Sequence, residues 1–224
     1  MNVPKSIFEV EPQSLLVYQI DVTNWCNATC TYCPQPTHAR ERGYITEQTF
    51  QRTLTVMKNR VVSLHHFGEP LLHKGLEKLV SMATEQGFTV GFSSNGKGLT
   101  QERLDRLAAR GLAWLRLHTD PFGVRLKDFV VPAGLEFTEH RLLVKSDAPK
   151  KEMVSFSGHL DITQPSQRNC SYLADSWRVV LWDGSLGLCC HDIEGTRSTD
   201  LCKACAGYVF KSPRDWGDYD GANQ

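Results

Sequence analysis

The chain is expected to fold as an α/β protein around a parallel sheet. Short, β-branched apolar runs alternate along it with segments of helical period, and the unusual polar and sulfur residues fall just after the runs. Parallel sheets carry their ligands at the C-terminal strand ends, so those residues mark a candidate site.

The first run, LLVYQIDV (15 to 22), is followed by the cysteine loop NWCNATCTYCPQ and then by Phe50, Leu54 and Met57 at helical spacing. VVSLHHF (61 to 67) is the second strand. It ends in His66-Phe67-Gly68-Glu69-Pro70, ahead of a helix marked by Leu76, Leu79, Val80 and Ala83. FTVGFSS (88 to 94) is the third strand, ending Ser93-Ser94-Asn95-Gly96, and its helix has Thr100 at the N-cap and Gly111 just past the end. LAWLRLH (112 to 118) is the fourth, with Arg116 and His118 on one face. From Asp120 to Ser155 the period is lost; LEFTEHRLLVKS (135 to 146) reads as one strand or two, and no helix is assigned. WRVVLWDGSLGLCC then reads as a hairpin turning at Asp183-Gly184, which begins a smaller unit. The expected division is 1–160 and 161–224.

Composition narrows the function classes. Lys+Arg and Asp+Glu are both 25 in 224 residues, so no charge excess suggests nucleic acid, and no apolar run reaches the ~18 residues a membrane span needs. The N-terminus lacks a signal-like apolar segment, and a cytoplasmic protein is expected. In a reducing compartment eight cysteines read as metal or redox ligands. They form two groups: Cys26, Cys30 and Cys33, then Cys170, Cys189, Cys190, Cys202 and Cys205.

Three thiolates can hold three irons of a [4Fe-4S] cluster and leave the fourth open to an outside ligand. Cys-x3-Cys-x2-Cys after a strand, with Tyr32 before its third cysteine, resembles the radical S-adenosylmethionine (radical SAM) superfamily. The resemblance implies a partial (β/α)6-type barrel. It also implies S-adenosylmethionine chelated to the open iron, cleavage of that cofactor to a 5'-deoxyadenosyl radical, and hydrogen abstraction from a substrate C–H. Gly68 and Glu69 stand in the family's "GGEP" motif, with Phe67 replacing its first glycine, so Glu69 is expected on the methionyl ammonium. Ser94 and Asn95 fall where the family contacts the ribose, and Arg116 is assigned to the methionyl carboxylate or the substrate. An electron donor of flavodoxin or ferredoxin type is implied.

The C-terminal cysteines resemble a shortened SPASM unit, a twitch region, in which Cys170, Cys189, Cys202 and Cys205 bind an auxiliary [4Fe-4S] cluster. Two features depart from that pattern. Only eleven residues separate Cys190 from Cys202, and Ser157 and His191 stand roughly where the subgroup has substrate-binding Arg and Glu. A fully ligated cluster cannot grip substrate, so its natural task is to accept an electron and turn hydrogen abstraction into dehydrogenation. Epimerisation, with Cys190 as hydrogen donor, and modification of a precursor peptide are the alternatives, so the substrate is a small molecule or a peptide. No peptide-recognition unit is expected in the roughly fourteen residues before the first strand.

Simpler readings compete. The N-terminal cysteines with His38, or Cys189, Cys190, Cys202 and Cys205, suit zinc, which would make the chain a non-enzymatic binding module. Arg116 and His118 read equally as a polar pair at a strand end, Tyr32 as a packed aromatic, and His65 as a hydrogen-bonded core histidine.

Overall fold

The computed structural model describes residues 4–30, 33, 35, 38–118, 124–140 and 178–187. Tyr32, Cys170, Cys189, Cys190, Cys202 and Cys205 lie outside these residues, as does any strand over 141–146. Among the described residues seven strands form one sheet: β1 (Val17–Ile20), β2 (Val61–Ser63), β3 (Thr89–Ser94), β4 (Trp114–His118), β5 (Glu136–His140), β6 (Arg178–Val180) and β7 (Leu186–Gly187). Their order is β5-β4-β3-β2-β1-β6-β7. All neighbours are parallel except the β6–β7 hairpin. The sheet is open, a partial barrel.

Three helices follow β1, β2 and β3 in turn: α1 (Glu47–Val56), α2 (Leu76–Thr84) and α3 (Gln101–Ala109). The side chains of Thr46 and Thr100 cap α1 and α3 by accepting the N–H groups of Thr49 and Arg103. Gly111 has φ 85°, which lets the chain leave α3 and turn into β4.

Alternation along the strands divides the sheet into two faces. Val62 and Leu64, Val90 and Phe92, and Leu115 and Leu117 join Phe50, Leu54, Leu79, Leu104 and Leu107 in a single buried core under the helices. The opposite face carries Gln19, Ser63, Ser93, Arg116 and His118, held level by the pairings Gln19↔Ser63 and Ser93↔Arg116. Gly91 lies on this polar face because a Cβ there would overlap the Trp114 indole. The missing side chain makes room for the ring.

β2 stops at Ser63, earlier than its apolar run suggests. Leu64 still donates its N–H to Gly91 O at 2.8 Å, but the next β3 amide, that of Ser93, donates to Nδ1 of His65 at 3.2 Å instead of to a β2 carbonyl. The ring replaces a ladder bond and the chain leaves the sheet. His65 is thus a hydrogen-bonded buried histidine, and Ser63 Oγ also meets Nδ1. With Nδ1 held as an acceptor, the ring proton sits on Nε2; the Gln19 side-chain amide stands 3.4 Å away, and its oxygen, not its NH2, is the group that can accept that proton. Burial, reinforced by the nearby charge of His118, Arg116 and His66, pushes the ring down to about 3, so it is neutral.

The hairpin is a continuation of the sheet. Asp21 donates its N–H to Val180 O at 2.7 Å, and the N-terminal segment staples the far side of the turn through Ile7 N–H to Gly184 O (2.9 Å) and Leu186 N–H to Lys5 O (3.0 Å). Among the described residues no helix is long and apolar enough to cross a membrane.

Candidate functional site

The C-terminal ends of β1, β2 and β3 are cross-linked by hydrogen bonds. The backbone comes together first: Glu69 donates its N–H to Trp25 O at 2.7 Å, and Gly68 lies so close that a Cβ would overlap the carbonyl oxygen of Thr23. This contact explains the glycine of the Gly-Glu-Pro turn. Beyond it the Glu69 carboxylate, 2% exposed, accepts the Leu71 N–H (3.0 Å) and the Ser94 hydroxyl (2.8 Å) on Oε1, and the Asn95 N–H (2.8 Å) on Oε2. Burial raises the Glu69 carboxyl above its usual range, opposed by these three donors and by Arg103.

Ser94 and Asn95 therefore already have protein partners. The Ser94 oxygen also accepts the Gly96 N–H at 2.9 Å. Asn95 accepts the Lys97 N–H on Oδ1 (2.8 Å) and donates from Nδ2 to Asn27 Oδ1 (2.8 Å) and to Cys26 Sγ (3.8 Å).

The cysteine loop is held from outside by residues that its cysteine spacing does not reveal. Thr23 Oγ1 donates to Gly43 O (2.7 Å). Asn24 donates from Nδ2 to Glu41 O (2.8 Å) and accepts the Gly43 N–H on Oδ1 (2.8 Å). The carbonyl of Asn24 is in turn gripped by Gln35 Nε2 (2.9 Å) and Arg42 (2.7 Å). Trp182 closes the set from the hairpin, with its ring packed where Gly43 lacks a side chain and its indole N–H donated to Glu41 O at 3.3 Å. Beneath lies Asp21, 1% exposed, 3.7 Å from Arg40, which also reaches Asp183 at 3.5 Å. Burial pushes the Asp21 carboxyl up to about 7 against the pull of Arg40. The only sequence signal for this network is a run of polar residues beside the cysteines.

Within the loop, Cys33 donates its N–H to Cys30 O at 3.1 Å, and all three thiols are partly buried. Burial raises Cys26, and it pushes Cys33 up to about 12, with the neighbouring Cys30 and Cys26 adding to the shift. Such thiols give up their protons when a metal centre binds them. Among the described residues no group of three or more His, Cys, Asp and Glu is placed to hold a single metal ion, whereas a cluster takes one thiolate at each of three separate irons. Three sulfur donors on one loop, with Asn95 directed at the first, fit a [4Fe-4S] group with one open iron. His38 is buried beside this loop.

On the polar face, Arg116 and His118 stand at the end of β4. The Arg116 guanidinium lies 5.8 Å from the Trp114 ring centroid, and its Nε is buried without a hydrogen-bond partner.

Residues 20–128, which contain the cysteine loop and all four of these strand ends, match the model of the Radical SAM superfamily. The match spans just under half of the chain and marks a radical SAM domain there. A [4Fe-4S] cluster and S-adenosylmethionine are the cofactors such a domain takes, and the loop of Cys26, Cys30 and Cys33 lies within the matched residues. The S-adenosyl-L-methionine-dependent 2-deoxy-scyllo-inosamine dehydrogenase of Niallia circulans is 29% identical over 172 residues, covering 73% of this chain and 68% of the dehydrogenase. The PqqA peptide cyclase of Streptomyces rochei is 35% identical over 101 residues, 44% of this chain but only 28% of the cyclase. In fold, the chain is similar to the crystal structure of BtrN in complex with AdoMet and 2-DOIA. The TM-score is 0.67 at 22% identity, over 88% of this chain and 95% of BtrN.

Proposed function

We propose that the protein is a radical SAM oxidoreductase that dehydrogenates a small polar substrate, with a second [4Fe-4S] cluster accepting the second electron. The supporting observation is one of coverage. Likeness to the inosamine dehydrogenase runs through most of both chains, while likeness to the peptide cyclase is confined to about a quarter of that enzyme. When bound, the first cluster supplies the electron that cleaves S-adenosylmethionine to the radical that abstracts hydrogen. This chain's own residues do the holding: Gly68 and Glu69 set the turn beside the cysteine loop, and Ser94 and Asn95 lock it to β3. Arg116 would complete its buried Nε on the cofactor carboxylate or on a substrate oxygen, with His118 beside it. Gln19, Ser63, Ser93 and Arg116 make the sheet face polar, which suits a hydroxylated or aminated ring.

Cys170, Cys189, Cys202 and Cys205 are proposed as the second cluster's ligands. A flavodoxin- or ferredoxin-type protein is the proposed donor, and the cytoplasm the proposed compartment. Anaerobic reconstitution should give brown protein with about eight irons from two clusters, and Cys26, Cys30 and Cys33 to Ala should remove about half of them. Formation of 5'-deoxyadenosine should require Cys30. Colourless, zinc-loaded protein, or cleavage without Cys30, would overturn the reading. Cys190→Ala separates oxidation from epimerisation: a dehydrogenase keeps turnover, whereas an epimerase keeps both clusters and stops making inverted product.

A further inference from the structure

We infer that Asn95 tunes the cluster held by the N-terminal cysteines, by donating a side-chain N–H to the sulfur of Cys26 and so raising the reduction potential. The inference rests on the reading of Cys26 as a cluster ligand and assigns Asn95 a role other than contact with the cofactor.

The orientation of the Asn95 amide follows from its surroundings. Its oxygen accepts the backbone N–H of Lys97 at 2.8 Å, a group that can only donate, so the NH2 end has to point the other way. There it meets two acceptors, and its two hydrogens match them: one to Asn27 Oδ1 at 2.8 Å, the other to Cys26 Sγ at 3.8 Å. The backbone of Asn95 is fixed as well, through its N–H on Glu69 Oε2 at 2.8 Å. Asn95 is 8% exposed, so water competes little for its N–H. A rigid donor aimed at a ligand sulfur withdraws electron density from it. That favours the reduced, more negative state of the cluster, and hydrogen bonds to sulfur are among the main determinants of iron–sulfur potentials. Asn95 acts here through Cys26 and is a positioning residue.

The test is an EPR-monitored redox titration of reconstituted protein without S-adenosylmethionine, so that a cofactor contact by the same side chain does not enter. Cys170→Ala with Cys189→Ala serves as the background, leaving only the N-terminal cluster to titrate. Asn95→Asp keeps the oxygen that accepts Lys97 N–H and replaces the donor with an acceptor, and the potential should move to a more negative value. Asn27→Ala removes the companion bond but leaves the N–H on sulfur, and the potential should stay where it is. An unchanged potential in Asn95→Asp, or an equal shift in Asn27→Ala, overturns the inference.

If Asn95→Asp assembles no cluster, the Asn27→Ala protein labelled with 15N in its asparagine side-chain amides decides. Its reduced cluster should show a 15N hyperfine coupling in pulsed EPR, and absence of that coupling overturns the inference. Failure of the parent protein to bind iron at Cys26, Cys30 and Cys33 would instead remove the reading on which it rests.

Discussion

Glu69 and Asn95 meet across two strand ends: the buried carboxylate of one accepts the backbone N–H of the other at 2.8 Å. The same carboxylate takes two further donors from Leu71 and Ser94, so three donors from the ends of β2 and β3 share one acceptor group.

Glu69→Ala leaves those donors buried without an acceptor. A loss of about 3 kcal/mol or more is expected in urea unfolding, since bonds to a charged group contribute ~1.5–3 kcal/mol and orphaned donors add their own cost. S-adenosylmethionine binding, measured by equilibrium dialysis on the reconstituted protein, should fall with it. Unaltered unfolding would mean the loops are held without the carboxylate, by backbone contacts such as Glu69 N–H to Trp25 O.

Gly91 and Trp114 should be energetically coupled, because a methyl on Gly91 falls on the indole. Gly91→Ala is expected to cost about 1–3 kcal/mol in the wild-type background through overpacking, and little in Trp114→Ala. A double-mutant cycle in urea reads the difference, and additive effects would refute the contact.

Asp21 and His65 give stability opposite dependences on pH. The Asp21 carboxyl, raised from 3.8 to about 7, binds a proton in the folded state that the unfolded chain has released. Its contribution is full below about 4 and is lost as pH rises through about 7. His65, lowered from 6.5 to about 3, is neutral in the fold while the unfolded ring is protonated. Its contribution is present above 6.5 and is lost as pH falls towards 3. Between pH 4 and 6.5 the two slopes oppose, each at most about 1.4 kcal/mol per pH unit. Relative to wild type, Asp21→Asn should gain stability with rising pH in that window and His65→Gln should lose it. Parallel curves for all three proteins would count against both assignments.

Trp182→Ala should loosen the segment that clamps the cysteine loop, since its ring fills the space over Gly43 and its N–H holds Glu41 O. Faster amide exchange over residues 24–43 and faster iron loss to a chelator from the N-terminal cluster are expected. Exchange rates equal to wild type would show that Asn24 and Arg42 hold the loop unaided.

The strands and helices from 15 to 118 are legible in the sequence because burial on one face imposes a period, and Thr100 and Gly111 mark the ends of α3 by their own chemistry. His65 is legible as a core histidine but not as the residue that ends β2, since its ring competes with a backbone carbonyl only once β3 is alongside. The placement of β6 beside β1 is not readable either: three residues carry too little pattern to choose an edge. At the site, Cys26, Cys30, Cys33, Gly68, Glu69, Ser94 and Asn95 stand out by type and position. Thr23, Asn24, Arg42, Asp21 and Trp182 do not, because the partners that clamp them are 17 to 141 residues away and polar loop residues show no period.

The position of β6 in the sheet also has a kinetic side. β1 acquires its neighbour β2 within a few dozen residues, but its other edge waits for β6, roughly 160 residues further along the chain. At ~5–20 residues per second of synthesis, that edge stands bare for about ten seconds or more. Trp182 and Asp183 do not yet exist during that time, so iron delivered to the growing chain meets Cys26, Cys30 and Cys33 on an unclasped loop. Iron delivered to the finished chain meets the same loop already held.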